Sequence, residues 1–176
     1  MSDLSFAGYR SIVAGPDDPL RLKWNAVRIM LDAPSIPIAP IPEFNKSINS
    51  KVKYKAEPAG ADVWQTPMQT WTNGSGDCED FAILKYALLV KAGVPVRVVI
   101  GEIKKLGMGD LDGNRPHAWC AACLANEWYA LDCMFDQLVP IGEYINWLPI
   151  AAMHDDSVVL FGRQFTMNEI LAGNNT

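Results

Sequence analysis

The sequence lacks the features that mark membrane-spanning and nucleic-acid-binding proteins. No apolar run approaches the roughly 20 residues that cross a bilayer. Its 15 basic and 20 acidic residues give a net charge of −5, and no basic cluster indicates a nucleic-acid surface. Internal repeats and low-complexity tracts are also absent. We therefore expect no membrane span and no nucleic-acid partner.

A secretion signal is also missing from the sequence as it stands. The opening segment, MSDLSFAGYRSIVAGPDD, has neither the basic start nor the apolar stretch that signal peptides carry. This predicts a cytoplasmic location. A periplasmic or exported protein is the alternative if the natural chain carries a leader that this sequence does not include.

Cysteine is scarce, and its pattern indicates neither a disulfide framework nor a zinc site. Cys120 and Cys123 form a C-x-x-C, but HAWCAACL is typical of a strand, where residues three apart point to opposite faces. No second C-x-x-C or pair of histidines completes a zinc site. We interpret Cys120, Cys123 and Cys133 as packing residues, which leaves Cys78 to be explained.

Length and composition predict one α+β domain over residues 1–176. The chain is 49% hydrophobic and 20% charged, which is ordinary for a globular protein with a buried core. Apolar spacing and capping residues predict helices at about 19–31, at 42–50, before Asn73-Gly74 and from Asp77 to Gly93. Alternating patterns predict a strand at 94–103 and a hairpin of 117–124 and 128–132. Helices followed by antiparallel strands indicate the α+β class, whereas residues 133–162 show no regular period.

Cys78 stands at the start of the long helix, in the stretch NGSGDCEDFAILKYALLVKAGVP. A cysteine there can be an ordinary packing residue. The partial positive charge of a helix N-terminus also lowers a thiol pKa and makes the sulfur a better nucleophile. The flanking acids oppose this effect, and a protonated His117 would offset them through an ion pair.

The two histidines and the predicted hairpin suggest a base and a group that orients it. His117 opens one strand and Asp132 closes the next. With the turn near Asn126, residue 135 or so lies opposite His117, and Asp132 falls within a few residues of that position. Asp136 is the rival to Asp132, whereas His154 is disfavoured because MHDDS is typical of an acidic surface loop.

The sequence resembles the bacterial transglutaminase-like cysteine peptidases of the papain-like and transglutaminase-like superfamily. The resemblance lies in two segments, DVWQTPMQTWTNGSGDCEDFAILKYALLVKAGVP and PHAWCAACLANEWYALD. The similarity covers roughly 44–138, and the G-D-C-E-D-F-A block with its upstream W-x-T-P is the most specific part. The resemblance implies a triad of Cys78 as nucleophile, His117 as base and Asp132 as orienting group. It also implies a papain-like core, in which the cysteine helix packs on an antiparallel sheet. A protein or peptide substrate follows, and surface adhesins are substrates of exported relatives.

The oxyanion of such a reaction needs hydrogen-bond donors. The backbone N–H of Cys78, at a helix start, is a natural first donor. Papain-like enzymes take a second donor from an upstream glutamine, which makes Gln65 and Gln69 candidates although their spacing differs. Trp64 and Trp71 are interpreted either as walls of the cleft or as core residues.

Asp77, Glu79 and Asp80 predict a calcium site beside the nucleophile, since hard cations bind clustered carboxylates and some relatives use calcium there. The alternative is that these acids only stabilise the first turn of the helix. Further oxygen ligands are offered by the GDLDGN loop at Asp110, Asp112 and Asn114. The triad chemistry itself requires no cofactor.

These observations predict a cysteine peptidase or amidase that acts through an acyl-enzyme. One alternative is transglutaminase-type transfer of the acyl group to an amine, which uses the same residues. The other is an inactive binding module that keeps the fold. The sequence does not indicate the substrate, the scissile bond or the oligomeric state.

Overall fold

A mixed sheet-and-helix architecture is seen in the computed structural model, which describes residues 4–58, 60–103, 115–144 and 147–163. Within these ranges a seven-stranded sheet carries a layer of four helices. This confirms the predicted α+β class. The predicted loop with Asp110, Asp112 and Asn114 lies outside the described residues. In the part that is described, no helix is long and apolar enough to cross a membrane.

The four helices begin close to the predicted residues, and the first ends three residues before the predicted 31. Their bounds are α1 Pro19–Arg28, α2 Ile41–Lys51, α3 Pro67–Asn73 and α4 Cys78–Lys91. Asp18 caps α1 by accepting bonds from the backbone N–H groups of Leu20 and Arg21. Gly74 ends α3 in the left-handed conformation, with φ of 62°, which glycine adopts without strain.

The large sheet is antiparallel throughout and has the order β1-β9-β8-β4-β5-β6-β7. Its strands are β1 Tyr9–Val13, β4 Val96–Ile103, β5 Arg115–Leu124, β6 Glu127–Leu131, β7 Val139–Pro140, β8 Trp147–His154 and β9 Ser157–Arg163. A 3₁₀ turn, Ile141–Glu143, links β7 to the segment before β8. A separate parallel pair joins β2 Lys53–Tyr54 to β3 Ser75–Gly76, immediately before the helix that carries Cys78.

Helix α4 is the centre of the main core. Eleven of its residues are buried, so the helix has no polar face of its own. It packs on β4 and β5, whose even-numbered residues, such as Ala118 and Cys120, point towards it. The odd-numbered Trp119 and Cys123 belong to a second core on the opposite face of the sheet. Cys120 and Cys123 therefore pack on opposite faces, as predicted from their spacing.

The hairpin of β5 and β6 brings the predicted base and its partner together at the open end of the hairpin, where β5 begins and β6 ends. Its turn is the pair Ala125 and Asn126, both with positive φ, which is typical of a two-residue hairpin turn. The register pairs Cys120 with Leu131 and would place residue 134 opposite His117. The prediction of about 135 was one residue off. Asp132 lies diagonally across from His117, within reach of its side chain.

Candidate active site

A buried histidine–aspartate pair lies where β5 begins and β6 ends. His117 Nε2 is 2.7 Å from Asp132 Oδ2, and the two side chains are almost fully buried. The other carboxylate oxygen, Oδ1, accepts a bond of 2.7 Å from the backbone N–H of Met134. Burial raises the pKa of Asp132, but the bonds from His117, Tyr144 and Met134 outweigh it and hold the pKa below its usual value. Asp132 is therefore a carboxylate that can orient the imidazole.

Aromatic rings enclose this pair. The Trp147 ring lies 4.5 Å from the His117 ring, and Trp119 stacks on the same ring at 6.3 Å between centroids. Gly101, which pairs with His117 across the sheet, leaves room for the tryptophan, since a Cβ there would lie 2.9 Å from the Trp119 ring. The rings keep water away from the hydrogen bond and fix the plane of the imidazole.

Cys78 is the first residue of α4 and is half-buried. Its Sγ lies 3.3 Å from Glu79 Oε2 and is also bonded by the backbone N–H of Ala118, the neighbour of His117. Burial raises the pKa of the thiol, and the carboxylate of Glu79 raises it further, whereas the Ala118 bond lowers it. The helix end was expected to lower the pKa of Cys78 and the flanking acids to raise it; burial and then Glu79 decide the direction, and the pKa is raised.

The start of α4 and the start of β5 meet at the bond between Ala118 and Cys78. Because Asp132 occupies Nε2 of His117, Nδ1 is the ring nitrogen left to exchange a proton with a thiol. Cys133 is a second thiol in this region, since its Sγ, a His117 nitrogen and an Asp132 oxygen lie within 4.8 Å of one another. His117, Asp132 and Cys133 thus form one cluster, and Cys78 reaches β5 beside it through the Ala118 bond.

Asp80 is a structural latch. Its carboxylate accepts bonds from the backbone N–H of Gln65 at 2.8 Å, from Gln65 Nε2 at 2.5 Å and from the N–H of Asp77 at 3.3 Å. Gly76 is required beside it, because a Cβ there would lie 2.6 Å from the Asp80 side chain. This latch ties the segment before α3 to the start of α4.

The two glutamines predicted as oxyanion donors take part in local hydrogen bonds. Gln65 donates to Asp80 and accepts from Asn73 at 2.7 Å, and Gln69 accepts from the N–H of Thr66 in the cap of α3. The bond between Gln69 and Thr66 belongs to a capping box, whose T-x-x-Q pattern is visible in the sequence, whereas no local pattern indicates the bonds of Gln65 to Asn73 and Asp80. Trp64 and Trp71 are partly buried and pack against the main core.

Asp77, Glu79 and Asp80 form an acidic cluster beside Cys78, in which one oxygen of each lies within 4.8 Å of the others. Burial raises the pKa of Asp77 to about 7, and the hydrogen bond and charge of Glu79 add to that effect. Asp77 Oδ1 is buried without a hydrogen-bond partner among the described residues. A second group of carboxylates, from Glu57, Asp62 and Glu79, lies within 4.8 Å of one another, so Glu79 is common to both clusters. Glu57 and Asp62 could not be singled out from the sequence, because both stand in an irregular segment.

Asp80, Asp77 and Glu79 are thus not equivalent. Asp80 already accepts three bonds, and burial raises its pKa to about 6. Asp77, with a bare oxygen, and Glu79, shared by two clusters, have the chemistry that a hard cation needs. The donors available to a calcium ion are therefore Asp77 and Glu79 in one group and Glu57, Asp62 and Glu79 in the other.

The rivals for the two triad positions take part in other contacts. His154 ends β8 rather than standing in a surface loop, and its Nδ1 lies 3.1 Å from the Tyr86 hydroxyl. Asp136 accepts a bond of 3.3 Å from Asn49 Nδ2.

Three aromatic residues near the site were missed by sequence reasoning. Tyr144 donates to Asp132, and Trp147 contacts His117. Tyr54 lies in β2, paired with Gly76, and its pKa is raised by burial and then by the charges of Cys78 and Cys133. Tyr144 and Trp147 fall in the aperiodic segment after residue 133, and Tyr54 was only part of a short extended stretch.

A cysteine at the start of a helix, packed on an antiparallel sheet that carries a bonded histidine–aspartate pair, defines the papain-like and transglutaminase-like class of fold. The chain belongs to the transglutaminase-like superfamily, whose family model matches residues 34–133. The match ends just after Asp132 and includes Cys78 and His117. This confirms the resemblance drawn from the G-D-C-E-D-F-A block.

Solved structures share the fold. Legionella pneumophila LapG in its calcium-bound form is 23% identical, with a TM-score of 0.58 over 86% of this chain and 87% of that chain. The EGTA-treated form is also 23% identical, with a TM-score of 0.57 over 83% and 76% of the two chains. At this identity the likeness shows the fold alone. No match was found among curated proteins.

Proposed function

We propose that the protein is a cysteine peptidase or amidase in which Cys78 is the nucleophile, His117 the general base and Asp132 the group that orients it. The buried bond of 2.7 Å between His117 and Asp132, beside the helix start that carries Cys78, is the observation that supports this most strongly. Membership of the transglutaminase-like superfamily is consistent with the same three roles.

The raised pKa of Cys78 determines how the thiol is activated. The thiol is protonated at rest, so His117 Nδ1 takes the S–H proton as Sγ attacks the substrate carbonyl. The new S–C bond gives a tetrahedral oxyanion, and the imidazolium, stabilised by Asp132, then gives its proton to the leaving amine as the C–N bond breaks. Water, deprotonated by His117, attacks the acyl-enzyme and releases the acid and the free thiol.

The oxyanion takes its first donor from the backbone N–H of Cys78. Since Gln65 Nε2 already donates to Asp80 and to the Ser75 carbonyl oxygen, and Gln69 is exposed at the start of α3, we assign the second donor to Tyr54. Its β2 strand pairs with β3, two residues before Cys78, and its phenol lies in the electrostatic field of the Cys78 sulfur.

We also propose that calcium binds between Asp77 and Glu79, with Glu57 as a further ligand and Asp62 at the rim. The unpartnered Asp77 Oδ1 and the raised pKa of Asp77 support this, as does a LapG structure solved with calcium bound. A bound cation would neutralise the negative charge of Glu79 that acts on the Cys78 thiol. Glu79 would then raise the thiol pKa less.

The substrate class is a protein or peptide, with surface adhesins the first candidates through the family resemblance. Purified wild type, Cys78→Ala and the matched control Cys123→Ala are incubated with candidate surface proteins and a labelled primary amine. Mass spectrometry then follows the products. We expect new chain termini with wild type and Cys123→Ala, and none with Cys78→Ala.

Two outcomes would replace the proposal. Incorporation of the labelled amine without cleavage would make the protein an acyltransferase of the transglutaminase type. Binding of a candidate protein by wild type and Cys78→Ala alike, with no covalent change in either, would make it a binding module.

A further inference from the structure

Tyr144 shares one carboxylate oxygen of Asp132 with His117. Its hydroxyl donates to Asp132 Oδ2 at 2.5 Å, and His117 Nε2 lies 2.7 Å from the same atom. Tyr144 is buried. Burial and the Asp132 carboxylate raise its pKa far above the usual value, so the phenol stays protonated and always donates.

The phenol is fixed relative to the imidazole by aromatic neighbours common to both. The Tyr144 ring stacks on Trp147 at 4.4 Å with an interplanar angle of 3°, and it meets the edge of Trp119 at 5.7 Å. Both tryptophans also contact the His117 ring. The hydroxyl is therefore held in place independently of its bond to Asp132.

We propose that Tyr144 is a positioning residue that sets the proton affinity of His117 by sharing the charge of Asp132 Oδ2. The inference rests on the proposed role of His117 as the base. It also extends the site beyond residue 133, where the family match ends.

The physical reason is competition for one acceptor. Two donors on a single oxygen each withdraw negative charge, so each bond is weaker than it would be alone. With Tyr144 present, Asp132 stabilises the imidazolium less, and His117 releases its proton more easily to the leaving amine. Without the hydroxyl, His117 holds that proton more tightly.

The other ionisable groups on the elements packed around the pair are unchanged in sequence when only the hydroxyl is removed. They are Cys78, Glu79 and Lys85 of α4, Cys133 beside Asp132, and Glu102 of β4. Lys85 donates from Nζ to the backbone oxygen of Asp132 at 3.0 Å. A change in His117 after loss of the Tyr144 hydroxyl is therefore assigned to the hydroxyl itself.

NMR of the imidazole ring protons tests this directly, since the chain has only two histidines. The titration is made in Cys78→Ala protein with and without Tyr144→Phe, which keeps the stacked ring. We expect the His117 pKa to rise by about half a pH unit or more. His154 is the internal reference and keeps its value. An unchanged His117 pKa in the folded Tyr144→Phe protein overturns the proposal.

The matched control is Tyr129→Phe, which removes a hydroxyl bonded at 2.6 Å to the exposed Glu127 and leaves His117 unchanged. If Tyr144→Phe does not fold, replacement of Tyr144 by 3-fluorotyrosine keeps the ring and makes the phenol a stronger donor. The His117 pKa then falls, and a value equal to that of unmodified protein contradicts the proposal. The titration does not depend on catalytic activity. Failure of the proposed triad is detected separately, in an activity assay in which Cys78→Ala still converts substrate.

Discussion

Lys85 Nζ donates a hydrogen bond of 3.0 Å to the backbone carbonyl oxygen of Asp132. The ammonium also donates to Asn49 Oδ1 at 2.8 Å, and the side chain is fully buried. Asn49 Nδ2 donates to the same Asp132 oxygen at 3.0 Å. The loop that carries Asp132 is thus fixed by a buried charge and an amide.

We predict that the buried charge of Lys85 makes stability depend on pH in the alkaline range. Burial lowers its pKa from 10.5 to about 8. Between about 8 and 10.5 the unfolded chain binds the proton and the folded chain does not, so this group makes stability rise with pH. The gain approaches about 3 kcal/mol. Urea denaturation of wild type and Lys85→Met across this range should show the difference.

Lys91→Met, on the same helix but exposed, is the control and should follow wild type. The raised pKa values of the buried cysteines act in the opposite direction but are common to all three proteins. If the free energy of unfolding changes with pH in the same way in wild type and Lys85→Met, the pH dependence does not come from Lys85.

His117→Ala should lower kcat about as much as Cys78→Ala, by a thousandfold or more, because members of a catalytic unit act together. Asp132→Asn should be strongly impaired while remaining folded. His154→Ala should stay near wild type, since its bond to Tyr86 is remote from the pair. Kinetic assays measure these effects, and thermal melts check that each variant is folded. If His154→Ala loses activity and His117→Ala keeps it, the base is misassigned.

The elements around the site could be predicted from sequence where a local signal marks them. Asp18, Gly74 and Gly93 mark helix ends, and the alternation of β5 and β6 marks the hairpin. The register was one residue off because it depends on a two-residue turn with positive φ at Ala125 and Asn126. Such a turn has no strong signature without glycine.

The contacts that tune the site could not be predicted in this way. Lys85 is buried only because Asn49 and Asp132, 36 and 47 positions away, supply acceptors. Tyr144 reaches Asp132 from a 3₁₀ turn at the end of an aperiodic segment. The raised pKa of Cys78 likewise arises from tertiary burial, which no local pattern in the sequence reveals.

Cys78 should be the first thiol to react with iodoacetamide, although its thiolate is disfavoured at rest. Cys120 is fully buried, and burial raises its pKa to about 12. Reaction of Cys78 therefore depends on His117 as base, and His117→Ala should slow its labelling several-fold. Peptide mapping after brief treatment at neutral pH measures both. First labelling at Cys133, the other half-buried thiol, would contradict the assignment of the nucleophile.

Tyr54→Phe should lower kcat by about tenfold to a thousandfold with little change in melting temperature, since the phenol is assigned to the oxyanion and its side chain is largely exposed. The reduction should appear in kcat and kcat/KM together, because the bond forms only in the transition state. Tyr9→Phe, on the edge strand β1, is the control. Unchanged kcat in Tyr54→Phe would remove the residue from the reaction.

Calcium should stabilise the protein more at pH 8 than at pH 5. The pKa of Asp77 is raised to about 7 from 3.8, so the unfolded chain loses this proton near pH 4 and the folded chain keeps it until near pH 7. Stability from this group is therefore lost as pH rises between those values, and a bound cation restores it. At about 100 times its dissociation constant, calcium adds about 2.7 kcal/mol. Thermal melts with calcium or EGTA at both pH values measure this.

Asp77→Asn should abolish the calcium response and stabilise the metal-free protein at pH 8, because it removes a charge that burial and Glu79 oppose. Asp17→Asn, at an exposed position before α1, should keep the response of wild type. Activity should follow the same pattern, since the cation offsets the effect of Glu79 on the Cys78 thiol. If neither the melting temperature nor the activity of wild type changes with calcium or EGTA, Asp77 and Glu79 only stabilise the first turn of α4.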